Sequence, residues 1–242
     1  MAYSISPLPQ LLISVRSASE AEIALAGGAD IIDVKEPASG ILGAAPLEIT
    51  HNIVKTISGK RPVSATIGDI PLSQALPASE ATAATGVDYV KIGAFPGGDP
   101  TAGLMALKSL ADKGVQLILV IFADMEPDLR LIGMAANAGF KGVMFDTARK
   151  KFGTLRDSMS DEQLSTFLRQ AKEAGLMAGL AGSLTLSDIP PLTALQPDVL
   201  GFRGAACVKA AREGELTKSA VSTLQNAIKR PPFHEEKEAA AV

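Results

Sequence analysis

The stretch Ala26-Gly27-Gly28-Ala29-Asp30-Ile31-Ile32-Asp33-Val34-Lys35 reads as a helix end, a tight turn and a short buried strand. A glycine just past a helix can take the left-handed conformation that stops it, because no Cβ opposes positive φ. The same phrase returns as Thr85-Gly86-Val87-Asp88 before Tyr89 and as Ala138-Gly139-Phe140-Lys141 before Gly142. Around these phrases, short β-branched runs alternate with segments of helical period. Strands are predicted at residues 11–15, 31–35, 63–68, 89–93, 117–123, 142–146, 177–182 and 199–204. They recur roughly every 20–35 residues, the length of a βα unit. Helix starts are marked at Ser19, before Glu22, and at Ser160-Asp161-Glu162-Gln163.

Strands that alternate with helices imply a parallel sheet with helices outside it. Eight such units favour an α/β fold of the closed (β/α)8 kind, a TIM barrel, over an open doubly wound sheet. The open sheet would want a glycine fingerprint after its first strand, and Ser14-Val15-Arg16-Ser17 supplies none. No linker divides the chain, so residues 1–230 are expected to form a single barrel domain. Residues 231–242, rich in proline, charge and then alanine, are expected to form a disordered tail that takes His234 away from any site.

Composition narrows the chemistry. Across 242 residues, 23 basic and 26 acidic side chains give a formal charge of −3, which lacks the footprint of a nucleic-acid binder. The two histidines disfavour a zinc site or a Ser-His-Asp triad, and a lone cysteine points to a reducing compartment. No signal peptide or membrane span is legible, so a soluble cytoplasmic protein is expected, with no membrane or nucleic-acid partner. His51 falls on the second helix, away from the barrel mouth, and Cys207 reads as a packing residue.

Barrel active sites lie at the carboxyl ends of the strands. Alternation places Ile31, Asp33 and Lys35 on one face and turns Ile32 and Val34 toward the helices. The fourth strand carries Lys91 between aliphatic neighbours, and the sixth ends at Asp146. A lysine so flanked is costly to bury unless it is paired or used. Asp33 could compensate Lys35, and two neighbouring ammonium groups would depress one pKa, as a Schiff-base lysine requires. Imine chemistry on an aldehyde or ketone is the expectation, with an aspartate and the second lysine moving protons. Small residues after the seventh and eighth strands, Gly182-Ser183 and Gly204-Ala205, would let backbone N–H groups approach a phosphate, with Arg203 adding charge-assisted bonds.

Several of these blocks together resemble the (5-formylfuran-3-yl)methyl phosphate synthase family. They are residues 29–37 with 40–44, residues 63–69, residues 88–93, Asp146-Thr147-Ala148, Leu180-Ala181-Gly182-Ser183 and Arg203-Gly204-Ala205-Ala206-Cys207, in a match spanning residues 11–229. The resemblance implies a TIM barrel that condenses two glyceraldehyde 3-phosphate molecules into a phosphorylated furfural, losing phosphate and water, for methanofuran-type cofactor biosynthesis. It implies Lys35 as the Schiff-base lysine and Lys91 as a proton-transferring lysine. Asp33 and Asp146 match family aspartates, and Lys150 matches a further lysine. No metal or organic cofactor is expected. The expected partners are a triose phosphate and further copies of the chain.

Asp33-Val34-Lys35 is also similar to part of the Asp-x-Lys-x-x-Asp motif of orotidine phosphate decarboxylases. The last aspartate of that motif would fall at Ala38, which cannot ionise. The stronger enzymatic rival is a class I aldolase giving an open-chain sugar phosphate. A non-enzymatic phosphate sensor would tolerate Lys35→Arg, which an imine-forming enzyme would not.

Overall fold

The computed structural model describes residues 8–149 and 153–230. Its strands are β1 (Gln10–Val15), β2 (Ile31–Val34), β3 (Val63–Thr66), β4 (Tyr89–Gly93), β5 (Gln116–Phe122), β6 (Gly142–Asp146), β7 (Met177–Leu180) and β8 (Val199–Phe202). All pair in parallel and in sequence order, and β8 pairs with β1 to close the barrel. Outside run α1 (Ala18–Gly27), α2 (Leu47–Ile57), α3 (Ala75–Ala83), α4 (Pro100–Ala111), α5 (Arg130–Asn137), α6 (Leu155–Ser158), α7 (Asp161–Glu173), α8 (Ile189–Ala194) and α9 (Lys218–Lys229). The TIM barrel read from the sequence is the fold observed. The tail expected over residues 231–242 lies outside the described residues. No helix among the described residues is long and apolar enough to cross a membrane.

The repeated glycine–aspartate phrase has a structural purpose. Gly28, Gly86 and Gly139 take positive φ of 97°, 90° and 77° and turn the chain back toward the barrel. The carboxylates of Asp30 and Asp88, and that of Asp198 before β8, then accept N–H groups at the start of neighbouring strands, Leu11 at 3.0 Å, Val63 at 2.8 Å and Ala178 at 2.7 Å. The N–H groups of the same aspartates donate to Leu11, Val63 and Ala178 carbonyls, each at 2.8 Å. Each even strand is thus sewn to its odd neighbour at the amino-terminal rim. At Lys141 only the backbone half remains, to Leu117 O at 2.8 Å.

Period-two alternation fixes two cores. Ile32 and Val34 join the large apolar layer between barrel and helices, while Ile31 packs inside the barrel with Leu12, Ile118, Met144 and Val199. The interior is tight around glycine, since a Cβ on Gly179 would sit 2.6 Å from Met144 Cε. Some boundaries differ from the sequence reading. Strand β3 stops at Thr66 before Gly68 turns at φ 98°, and β7 stops at Leu180 before the Gly182-Ser183 turn. The cap of α1 is Ser17, whose Oγ accepts the Glu20 N–H, rather than Ser19. Ser160 caps α7 in a reciprocal pair with Gln163, at the expected place.

Candidate active site

The carboxyl ends of the strands carry a buried charged layer. Lys35, Lys91, Asp33 and Asp146 are each no more than 7% exposed. Two cations and two anions removed from water need close compensation, and the pairing found is not the one expected. Asp33 does not compensate Lys35; its Oδ1 accepts from Lys91 Nζ at 3.0 Å. Lys35 Nζ reaches instead to Asp146 Oδ2 at 3.5 Å, across the barrel from β2 to β6. The reason is the stagger of the sheet. Lys91 is in register with Thr66, two residues beyond the Ser64 that pairs with Asp33, so its long stem reaches back to that carboxylate.

Asp33 accepts two further bonds. Ser14 Oγ donates to its Oδ2 at 2.9 Å and Ser64 Oγ to its Oδ1 at 2.6 Å. The three residues occupy one ring of the barrel, Ser14 opposite Asp33 and Asp33 opposite Ser64. Sequence reading passed over both serines. The available signal was a hydroxyl at an inward position of an otherwise apolar strand, which is costly to bury unpaired. Asp146 is held at its other oxygen by the N–H of Thr147 at 2.8 Å. Lys150, expected beside it, lies outside the described residues.

The loops above this layer are pinned by carboxylates. Asp69, after β3, accepts the N–H groups of Ile41 and Leu42 at 2.7 Å each. Asp124, after β5, accepts those of Ala148 at 2.7 Å and Arg149 at 2.6 Å. Gly43 must be glycine, because a Cβ there would collide with the Glu36 carbonyl. Leu42, Phe122 and Ala148 with Phe95 make an apolar wall, the two rings 4.7 Å apart. A separate small cavity lies lower in the barrel among Leu12, Ile31, Tyr89, Ile118 and Val199, and it reaches Ser64 and Lys91.

Gly182 and Ser183 follow β7, and Gly204 and Ala205 follow β8, on adjacent strands of the barrel. Gly182 (φ 119°) is pressed against Thr147, whose hydroxyl is buried without a hydrogen-bond partner, and Ser183 has φ 50°. Arg203 does not offer its guanidinium to a ligand. Its Nε donates to Arg212 O at 2.8 Å, Nη1 to Ser14 O at 2.9 Å and Glu20 Oε2 at 2.6 Å, and Nη2 to Glu20 Oε1 at 3.1 Å and Gly214 O at 3.0 Å. A guanidinium has five N–H donors, and all five are used internally. The expectation of Arg203 as a phosphate ligand is therefore corrected: it ties the loop after β8 to β1 and α1.

Burial pushes the Glu20 carboxyl up, but hydrogen bonds from Arg203 and the Arg16 N–H, with both guanidinium charges, outweigh it and leave the group more acidic than usual. A lowered folded value stabilises the native state above the ordinary glutamate value of 4.5, and that contribution is lost as pH falls through the lowered value. Acid denaturation should therefore be less steep in Glu20→Gln than in the wild-type chain, measured by circular dichroism between pH 5 and pH 2 (roughly the window in which a paired carboxylate loses its charge). Burial also raises the Cys207 thiol, which donates to Arg203 O at 3.2 Å, so it is a packing residue rather than a nucleophile. His51 sits exposed on α2 with Nδ1 3.3 Å from Thr85 O.

The barrel superposes on solved structures of 3-hexulose-6-phosphate synthase (TM-score 0.64, 16% identity, 90% of this chain and 99% of that one). It superposes equally well on phosphoribosyl anthranilate isomerase from Thermotoga maritima (TM-score 0.66, 12% identity, 92% and 99%). At such identities the likeness concerns the fold. Closer relatives exist in sequence. The chain is 42% identical over 229 residues to a Methylorubrum extorquens protein provisionally named (5-formylfuran-3-yl)methyl phosphate synthase, covering 94% of each. It is 35% identical over 234 residues to the (5-formylfuran-3-yl)methyl phosphate synthase of Methanococcus maripaludis strain C5, covering 90% of this chain and 99% of that one. The family model for 4-HFC-P synthase matches residues 11–225, a span that runs from the second residue of β1 past β8 and holds both lysine–aspartate couples. Matched by that model over most of its length and by relatives 42% and 35% identical to it, the chain belongs to the 4-HFC-P synthase family.

Proposed function

We propose that this protein is a cytoplasmic enzyme, a carbon–oxygen lyase of methanofuran-type cofactor biosynthesis. It condenses two molecules of glyceraldehyde 3-phosphate into (5-formylfuran-3-yl)methyl phosphate through an imine on Lys35. By atom count the condensation releases one phosphate and two waters. The observation that carries the reading is the division of the buried layer into two couples, Lys35–Asp146 and Lys91–Asp33. One amine can then serve as nucleophile while the other remains an acid.

In this reading the Lys35 amine adds to the aldehyde of one triose, and Asp146 takes and returns the protons as water leaves. Asp146 takes the proton from the carbon beside the imine to give an enamine, whose carbon attacks the second triose at the carbon from which phosphate departs. A hydroxyl of that triose then closes on the imine carbon, expelling the Lys35 amine, and the second water leaves. Lys91, steadied by Asp33, donates a proton to the oxygen that becomes negative. Backbone N–H groups of Gly182, Ser183, Gly204 and Ala205 hold substrate phosphate in the turns that follow β7 and β8. Lys150, four residues beyond Asp146 in the sequence, assists the proton transfers. Borohydride reduction in the presence of glyceraldehyde 3-phosphate tests the imine. A mass increase on the peptide carrying Lys35 is expected; no adduct, or one on another lysine, would overturn the mechanism.

A further inference from the structure

We infer that Ser14 and Ser64 are positioning residues that act on the reaction through Asp33, by fixing the direction in which that carboxylate presents itself to Lys91; this rests on the reading proposed above. An unrestrained carboxylate can rotate about its last bond, and this one is restrained from both sides. Ser14 Oγ takes Oδ2 at 2.9 Å, while Ser64 Oγ and Lys91 Nζ share Oδ1 at 2.6 Å and 3.0 Å. Neither serine has a competing side-chain duty, and both are buried, at 7% and 2% exposure. Ser14 is itself steadied through its carbonyl, which accepts from Arg203 Nη1 at 2.9 Å. The chain of contacts therefore runs from the loop after β8 through Ser14 and Asp33 to Lys91.

The hydroxyls of both serines bond to Asp33 of the Lys91 couple. Lys35 is paired on the far side of the barrel with Asp146. Loss of a serine hydroxyl should thus spare the first chemical step and slow the later ones. In Ser14→Ala and Ser64→Ala, borohydride trapping on Lys35 should match the wild-type protein, with KM little changed. The kcat should fall on the order of 10–100-fold, the range for loss of a group that orients a catalytic one. Ser64→Thr keeps the hydroxyl, and Ser64 borders the small cavity in the lower barrel, so the added methyl has room. It should recover most of the lost kcat.

A kcat within twofold of wild type in both alanine variants would overturn the inference. So would loss of trapping in parallel with kcat, or failure of threonine to restore it, since either marks a general structural role. If the wild-type protein itself forms no adduct, the imine reading fails alone. The serines are then judged by the Asp33–Lys91 separation in a Ser64→Ala crystal structure. The inference predicts that this separation departs from 3.0 Å, and an unchanged pair would overturn it.

Discussion

Lys35→Arg should lose turnover by on the order of 10⁴-fold or more while the protein stays folded. The buried charge survives the change, so Asp146, whose Oδ2 lies 3.5 Å from Lys35 Nζ, keeps a cationic partner. The nucleophile of the proposed mechanism does not survive, because a guanidinium does not shed its proton in a protein and cannot form an imine. Activity under saturating triose phosphate, with circular dichroism as the fold control, separates these consequences. Lys35→Met removes both the charge and the amine, and it should be as inactive and also less stable. If Lys35→Arg kept even a tenth of the wild-type kcat, the lysine would be acting as a charge and not as a nucleophile.

Asp33→Ala should produce the largest loss of stability at the site. It strands the Lys91 ammonium at 5% exposure and leaves two serine hydroxyls without their acceptor. Breaking a buried ion pair by removing one member costs about 3–5 kcal/mol. For a chain of this size that lowers Tm by roughly 6–20 °C. Lys91→Met on the Asp33→Ala background removes the stranded charge and should recover much of the loss, whereas activity stays absent in both. A double-mutant cycle of thermal melts measures the coupling. Additive effects of the two substitutions would mean that the 3.0 Å contact carries no energetic weight.

The fold was legible because its signals are local and repeated. The Gly-x-Asp phrase marks where helix turns to strand, and its aspartates, Asp30 and Asp88, staple neighbouring strands. Period-two alternation was enough to aim Asp33 inward and to turn Ile32 and Val34 outward. Which lysine meets which aspartate was not legible, since it depends on the stagger of β3 and β4 against β2 and on β6 lying opposite. Ser14 and Ser64 escaped notice because a small hydroxyl in a strand gains meaning only when its cross-strand neighbour is known. Arg203 misled for a related reason. The loop that uses up its donors folds back from residues 212 and 214, and Glu20 arrives from the other end of the chain.

In the proposed reaction, two buried lysine–aspartate couples build a furan from triose phosphate. The most direct measurement mixes the purified protein with glyceraldehyde 3-phosphate and follows the near-ultraviolet spectrum alongside released phosphate. A growing furan-aldehyde band, with one phosphate freed for each furan formed, is the result predicted. Consumption of triose phosphate to an open-chain sugar phosphate, with no such band, would overturn the proposed reaction and leave a class I aldolase in its place.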